Sequence, residues 1–192
     1  MKRERSAGSR RSIFALVGLS LLICGPGARA QVKWVDVKKD ESEMTYRLVH
    51  PLHKIEATSK EVAFRVQLDP SSKEIKSVTG QVDVMSFSSG NSSRDSHAME
   101  VIDALSYPEA LFASTSVAAR GDSVTVSGKL TFHGVRKDIV IPAFARWTQG
   151  KLDVSGVFEA SLTAFGIERP SLLLIPVEDN LIFSFKAAFA LE

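Results

Sequence analysis

Apolar and polar residues alternate with a period of two through most of this chain. The longest such run covers residues 151–163, and a second covers residues 181–189. Alternation at this period is typical of β-strands that turn one face toward a core. The charged segment between the two runs, residues 165–171, is predicted to be a loop. The two runs therefore indicate one wall of a closed sheet, with the loop at its mouth.

Similar alternation predicts strands in the preceding part of the chain. The predicted strands cover residues 32–37, 44–50, 54–58, 61–68, 74–87, 110–119, 122–132 and 135–147. Gly80 lies inside the fifth of these and indicates a bulge or a bend. Pro142 lies inside the last one and is expected at an edge or an irregularity, because proline cannot donate to a ladder.

One segment changes to helical spacing. Apolar residues recur at Ala98, Val101, Ile102 and Leu105, which predicts a helix of about three turns that ends before residue 107. Ser92 or Ser93 is the expected N-cap. About eight or nine strands with one helix, and no strand–helix rhythm, favour an antiparallel sheet closed as a barrel or folded as a sandwich. Strands of about ten or more residues favour the barrel.

Residues 1–30 have the layout of a secretory signal. A basic start is followed by an apolar stretch at residues 13–24 and by Ala28-Arg29-Ala30. The apolar stretch is too short to span a membrane comfortably. We therefore predict cleavage after Ala30, export of the chain, and one domain over residues 31–192.

Removal of this signal changes the charge of the chain. Residues 1–30 hold six of the 24 basic side chains and one of the 22 acidic ones, so residues 31–192 carry 18 against 21 and a formal net charge of −3. No Lys/Arg cluster with interleaved aromatic residues is present, which argues against a nucleic-acid partner. The only cysteine, Cys24, leaves with the signal, so disulfides and thiol chemistry are not expected. No further segment is apolar enough to cross a membrane.

Three motifs follow one another in residues 89–179. They are Ser89-Gly90-Asn91 with Arg94-Asp95-Ser96-His97 and Tyr107-Pro108, then GKLTFHGVRK at residues 128–137, then FGIERPS at residues 165–171 with Asp179 after it. In order and spacing they resemble the YceI-like family of periplasmic polyisoprenoid-binding proteins. The segment from Tyr46 to His53 departs from the family's pattern, because it has no Asp where many members place one.

The resemblance implies an all-β fold, namely an eight-stranded antiparallel lipocalin-like barrel with one short helix. It also implies a periplasmic protein whose interior holds a long isoprenoid, such as a quinone tail or a polyprenyl lipid. No catalysis and no cofactor besides this lipid are implied. Whether two barrels pair as a homodimer is left open.

Large apolar side chains at alternating positions are the candidates for the wall of such a cavity. They are Phe64, Leu68, Val82, Val84, Leu130, Phe132, Phe158, Leu162, Phe183 and Phe185. Small residues on the inward faces favour a cavity over a filled core, because they leave room; these are Ala113, Gly128, Gly156, Ala160 and Ala187. The alternative is that the large side chains fill a solid core.

Polar candidates for contact with a lipid head group are Arg94, His97 and His133. Asp95 near the helix N-terminus is explained by the helix dipole. Glu168 and Arg169 are expected to form an ion pair that orders their loop.

Two other functions remain open from the sequence. A histidine-based, metal-dependent hydrolase would use His50, His53, His97 and His133, or a His-Asp-Ser set with Asp95 and Ser96. The His50-x-x-His53 spacing suits zinc on a helix, but a strand and turn with proline need not bring the two rings to one face. No G-x-S-x-G nucleophile motif is present. The second alternative is a ligand-free β-sandwich that acts as an interaction or stress-protection module.

Overall fold

The computed structural model describes residues 32–191, so the predicted signal at residues 1–30 lies outside the described residues. Within them the chain forms twelve β-strands and one α-helix, α1 (Ser92–Val101). The strands are β1 (Lys33–Asp36), β2 (Glu43–His50), β3 (His53–Ser59), β4 (Val62–Asp69), β5 (Glu74–Asp83), β6 (Glu109–Arg120), β7 (Ser123–Phe132), β8 (Val135–Thr148), β9 (Lys151–Ser161), β10 (Ser171–Leu172), β11 (Ile175–Pro176) and β12 (Asn180–Ala190). Each alternating run of the sequence overlaps one of these strands, whereas β10 and β11 lie where no alternating run was predicted.

Ten of the described strands form one antiparallel sheet in the order β1-β4-β5-β6-β7-β8-β9-β12-β2-β3. The sheet curls until its ends meet, because Val37 pairs with Phe189 and Thr58 pairs with Ser88. The Lys38 amide also donates to the Ala188 carbonyl at 2.7 Å. The predicted all-β, barrel-like fold is confirmed. The sheet has ten strands instead of eight, since the short strands β1 and β3 are added at its edges.

Two strands differ from the sequence prediction in detail. β5 ends at Asp83, whose carboxylate accepts from the Met85 amide at 2.8 Å and starts a 3-10 turn at Val84–Ser86. The predicted strand at residues 74–87 is therefore four residues too long. Pro142 lies within β8 at the point where pairing with β9 ends, since the last pair is Ala143 with Gly156. Its missing N–H thus falls where no ladder partner is needed.

Helix α1 is shorter than its apolar spacing indicates. Asn91 is its N-cap, with a side-chain oxygen that accepts from the Arg94 amide at 3.0 Å, so the prediction of a serine cap was wrong. The helix ends at Val101 because the chain turns at Asp103, which has a positive φ of 46°. Leu105 consequently lies beyond the helix and is exposed.

Buried side chains form two clusters at opposite ends of the long strands. The first contains Val66, Leu68, Ile75, Val124, Val126, Ile141, Ala145, Leu152, Ala187 and Phe189. The second contains Val84, Ala104, Leu130, Phe132, Ala160, Leu162, Phe165, Ile167, Val177 and Leu181, with α1 packed against it. The curled sheet is therefore packed at both ends.

The loop after β9 is held by its own side chains. Phe165 and Ile167 are both buried and belong to the second cluster. The expected Glu168–Arg169 ion pair is not formed. Instead, Arg169 donates Nε and Nη2 to the Val177 carbonyl, while Glu168 is exposed. The loop is thus ordered by a charged donor on a backbone carbonyl.

Glycines on the inner face are covered by aromatic rings from the strands beside them. A Cβ on Gly128 would lie 2.5 Å from Phe112 Cζ, and one on Gly156 would lie 2.7 Å from Phe185 Cε1. Gly80 is regularly paired with Phe64 and Phe112, so it does not lie at the bulge that was one of its two predicted roles. The bulges lie between Gln67 and Leu68 and between Ser114 and Ser116. Packing a ring against a glycine keeps the ring along the wall of the sheet.

We predict that Gly128→Ala destabilises the fold by about 1–3 kcal/mol, because a methyl group there overpacks the wall. The new Cβ would meet the Ala113 carbonyl oxygen at 2.5 Å, which only a backbone shift relieves. Gly80→Ala is the matched control, since the nearest atom to its Cβ would belong to the Phe64 ring, at 3.2 Å, and no backbone atom lies so close. Urea unfolding of both variants measures the difference. Equal losses for the two glycines would contradict the prediction.

Asp179 joins the end of β9 to the start of β12. Its carboxylate accepts from the Ser161 hydroxyl at 2.5 Å, and from the Thr163 amide and hydroxyl at 3.0 Å each. The hydrogen bond from Ser161, followed by that from the Thr163 amide, lowers the pKa of Asp179 below its ordinary value of 3.8. The charged carboxylate is therefore the form that the folded state prefers.

We predict that Asp179→Asn lowers Tm at neutral pH and that its difference from wild type shrinks in acid. The folded-state pKa of Asp179 is lower than the unfolded one, so its stabilisation is present above pH 3.8 and is lost as pH falls below that value. Thermal unfolding of both proteins between neutral and acidic pH measures this. The exposed Asp40→Asn is the control and should leave Tm unchanged. A difference that stays constant with pH would contradict the assignment.

Candidate functional site

The curled sheet encloses a cavity of about 650 Å³ between the two packed ends. Its walls are inward-facing side chains of β2 to β9 and β12, and α1 covers it from one side. The lining is overwhelmingly aliphatic and aromatic. Exposed residues such as His53, His97 and Ser171 also line it, so the cavity reaches the protein surface where α1, the β2–β3 turn and the β10–β11 hairpin meet.

Nine of the ten apolar side chains proposed from the sequence line this cavity. They are Phe64, Val82, Val84, Leu130, Phe132, Phe158, Leu162, Phe183 and Phe185. Leu68 is not among the lining residues. It is fully buried in the first packed cluster, beyond the bulge that interrupts the β4–β5 register after Gln67. Leu68 faces inward as the alternation predicts, but it packs in the closed end of the sheet below the cavity.

The small inward-facing residues do not themselves create the open space. Gly128 and Gly156 are covered by Phe112 and Phe185, and both of these rings line the cavity. Of the other small residues, Ala187 lines the cavity, and Ala160 is buried outside its lining. Ala113 was expected on the inner face but is exposed on the outer face of β6. The glycines accommodate wall rings, and the cavity lies on the other side of those rings.

Arg94 and Asp95 both line the cavity and both fold back onto Ser89. Arg94 donates Nε to the Ser89 hydroxyl at 2.8 Å and Nη2 to the Ser89 carbonyl at 3.0 Å. Asp95 accepts from the Ser89 hydroxyl at 2.5 Å and from the Ser89 amide at 3.0 Å. The bond from the Ser89 hydroxyl is the main reason that the pKa of Asp95 lies below its ordinary value. The first motif thus closes a loop onto the start of α1.

Tyr46 adds a phenol to the cavity wall beside this loop. Its pKa is raised by burial first and by the Asp95 charge second. Its ring lies 5.2 Å from the ring of Phe87, which also lines the cavity. Neither residue was singled out from the sequence. The alternation of Met44, Tyr46 and Leu48 in β2 was the available signal for Tyr46.

His50 and His53 are cross-strand partners in the β2–β3 hairpin and line the cavity, with ring centroids 5.0 Å apart. His50 is only 2% exposed. Its Nδ1 accepts from the Leu52 amide at 3.1 Å, so Nε2 carries the proton and donates to the Ile175 carbonyl at 3.0 Å. Both nitrogens are therefore engaged in tying the β2–β3 turn to β11.

His133 is separated from the cavity lining. It has a positive φ of 49° at the β7–β8 turn, and its Nδ1 donates to the Phe165 carbonyl at 3.0 Å. Its ring packs edge-on against Tyr107, with centroids 4.7 Å apart. His133 does not line the cavity, and its expected contact with a head group stays a prediction. The residue instead fastens the turn to the loop after β9.

The side chains of the alternative hydrolase are not assembled. Asp95 is bound to Ser89, while His97 is exposed with Nδ1 3.7 Å from Glu100. His50 and His133 bind backbone carbonyls. Within residues 32–191, no group of three or more His, Cys, Asp or Glu side chains is placed to hold a metal ion. The same part of the chain has no helix that is long and apolar enough to cross a membrane.

The inner face of α1 was only partly identified from the sequence. Ala98, Met99, Val101 and Ile102 line the cavity. The helical spacing of Ala98, Val101 and Ile102 predicted an apolar face but not what it would cover, and Met99 was not singled out. Pro170 and Leu172 also line the cavity, although the sequence around them shows neither alternation nor helical spacing.

Several solved structures share this fold. BcnA from Burkholderia cenocepacia superimposes with a TM-score of 0.72 at 23% identity, over 80% of this chain and 99% of that one. A Campylobacter jejuni YceI protein matches with a TM-score of 0.62 at 21% identity, over 72% and 85% of the two chains. A polyisoprenoid-binding domain from Saccharophagus degradans, implicated in plant cell wall breakdown, matches with a TM-score of 0.62 at 10% identity, over 84% and 100%.

Sequence comparison gives the relationship directly. A UPF0312 protein of Pseudomonas savastanoi pv. phaseolicola is 28% identical over 172 residues, covering 84% of this chain and 89% of the relative. A UPF0312 protein of Vibrio cholerae is 30% identical over 163 residues, covering 79% and 86%. The family model for the YceI-like domain matches residues 35–189. The resemblance seen in the three motifs is thereby confirmed, and the chain belongs to the YceI-like family.

Proposed function

We propose that this protein binds one long-chain polyisoprenoid lipid, a quinone tail or a polyprenyl lipid, inside the curled sheet. The observation that carries the proposal is the apolar cavity of about 650 Å³ enclosed between two packed ends. This volume lies within the range of about 300–1,000 Å³ that is usual for small-molecule sites. The similar fold of the Saccharophagus degradans polyisoprenoid-binding domain supports the same ligand class.

The chemistry of the lining suits a hydrocarbon chain. Burial contributes about 0.8 kcal/mol per methylene group, so a long tail needs no directional contact to bind after the cost of association is met. The stacked rings of Phe158 and Phe183, 5.1 Å apart, offer a flat apolar surface to such a tail. The protein acts as a carrier or a store, without turnover.

The polar end of the lipid is proposed to lie near Arg94 and His97. Both residues line the cavity where it reaches the surface, next to the Tyr46 phenol and the Asp95 carboxylate. A guanidinium there provides a charge-assisted donor for a quinone carbonyl or a phosphate. The head group adds orientation, while the tail supplies most of the binding free energy.

We expect that a bound isoprenoid can be extracted from the purified protein, and that Ala110→Trp loses it. Ala110 is half-buried on the cavity wall, so an indole there occupies space that the tail requires. Displacing two methylene groups costs about 1.6 kcal/mol, which lowers affinity about tenfold or more. Organic extraction followed by mass spectrometry measures the lipid bound per chain.

Ala118→Trp, on the exposed side of the same strand β6, is the matched control and should retain the lipid. Equal lipid content in the two tryptophan variants would contradict the proposed site. Wild-type protein that takes up no isoprenoid from an isoprenoid-rich host would contradict the proposed function.

We also propose that the mature protein begins at Gln31 and resides in the periplasm. The support is the basic, apolar and small-residue order of residues 1–30. Intact mass spectrometry of the periplasmic fraction should find a chain that starts at Gln31. Ala30→Arg should leave the longer precursor at the membrane, because signal cleavage needs a small residue there. A full-length chain in the cytoplasm would contradict this proposal.

A further inference from the structure

The β10–β11 hairpin carries leucines where its turn disfavours them. Ser171 pairs with Pro176 and Leu172 pairs with Ile175, which leaves Leu173 and Leu174 as a two-residue turn. Both leucines have positive φ, 53° and 64°. Such a turn favours Asn-Gly, and a bulky residue in this region of backbone conformation is an outlier.

The same leucines are also exposed to water. Leu173 is 76% exposed and Leu174 is 96% exposed, and their neighbours Leu172 and Ile175 are exposed as well. Four consecutive apolar side chains at a loop tip form a patch of the kind that marks a contact with another molecule or with a membrane. Backbone strain and apolar exposure both oppose folding, so their coincidence indicates a role outside the fold itself.

The base of the hairpin is held firmly to the sheet. His50 Nε2 donates to the Ile175 carbonyl at 3.0 Å, and the Glu178 amide donates to the Val49 carbonyl at 2.8 Å. The Val177 amide also donates to the Pro170 carbonyl at 2.9 Å. The two leucines therefore project from an anchored support.

The hairpin stands at the opening of the cavity. Pro170, Ser171 and Leu172 line the cavity, as does His50, which binds the hairpin. Leu52, in the turn beside His50, is exposed too. An apolar surface thus runs from the cavity wall over its rim to the tip of the hairpin.

We propose that the β10–β11 hairpin inserts Leu173 and Leu174 into the surface of a lipid bilayer, so that the cavity opening faces the membrane while the isoprenoid enters or leaves. This inference rests on the proposed function. A bilayer is favoured over a protein partner because the strands of the hairpin have two residues each. So small a tip falls far short of the roughly 800 Å² per partner of a standard protein interface, whereas insertion into lipid needs only apolar side chains.

The movement of the lipid between membrane and protein also favours a bilayer as the surface that the hairpin contacts. An isoprenoid tail that crossed open water would expose every methylene group, whereas an opening held against the bilayer avoids this. The formal net charge of −3 over residues 31–192 offers no general attraction to anionic lipid. The docking is therefore apolar, and salt should not release it.

The test uses the mature chain, vesicles of phosphatidylethanolamine and phosphatidylglycerol doped with the polyprenol solanesol, and the double variant Leu173→Asn/Leu174→Gly. Flotation measures vesicle binding, and samples taken at successive times measure the rate at which solanesol is transferred from vesicles to the protein. Loading from detergent micelles measures binding to the cavity without the membrane step. Because Asn-Gly suits the turn, Tm should be unchanged or higher. Vesicle binding and transfer rate should fall about tenfold or more, since two leucine side chains no longer enter lipid.

The matched control is Phe144→Thr/Val157→Thr, which removes two exposed apolar side chains from the outer face of β8 and β9. It should behave like wild type in all three measurements. Should the double variant misfold, Leu174→Asn alone tests the same contact with one substitution.

The proposal is overturned if wild type does not float with vesicles, if high salt releases it, or if the hairpin variant binds and transfers as wild type does. The proposed function fails separately, when wild type takes no solanesol from micelles. In that case flotation of wild type and of the hairpin variant still decides whether the leucines dock on lipid.

Discussion

The structure depends on keeping an apolar space open inside a sheet whose inner face is apolar throughout. Hydrophobic side chains favour contact with one another, and a core of this composition would ordinarily close. Here the hydrogen-bond ladder of ten strands fixes the distance across the curl. Rings such as Phe112 and Phe185 lie against glycines of neighbouring strands, so the largest side chains thicken the wall. The two packed clusters then close the ends and leave the middle open.

The motifs that identify the family chiefly form hydrogen bonds that hold the turns and loops around this cavity in place. Asp95 and Arg94 close the Ser89 loop onto α1, and His133 ties the β7–β8 turn to Phe165. Arg169 orders the following loop through the Val177 carbonyl. Each of these half-buried side chains forms at least one hydrogen bond within the protein. Ligand binding is consequently left to the apolar wall, and the polar groups near the opening have an orienting role.

The mouth of the cavity differs from the wall in how well local conformational preference agrees with burial. Along the wall, local conformational preference and burial agree. At the β10–β11 hairpin they conflict, because leucines occupy positive-φ positions and point into water. Such conflicts between local and global preference concentrate at functional sites. The same hairpin is bound to His50, so the strained turn, the buried histidine and the cavity rim form one connected region.

The sequence by itself determined the ten strands of the curled sheet, because alternation with a period of two reports directly which side chains face a core. It determined nine of the ten proposed cavity residues for the same reason. It failed at Leu68, which faces inward but lies in a packed end instead of the cavity, and at Gly80, which is regularly paired and lies at no bulge.

Only the tertiary structure decided which polar residues meet at the opening. His50 and His53 reach the cavity through a tight hairpin. His133 instead donates a hydrogen bond to the Phe165 carbonyl, 32 residues away along the chain. Tertiary packing also decided that the inner face is hollow, since a filled and an open core have the same alternating pattern. Alternation specifies the direction of each side chain, but the space between facing walls depends on contacts between residues distant in sequence.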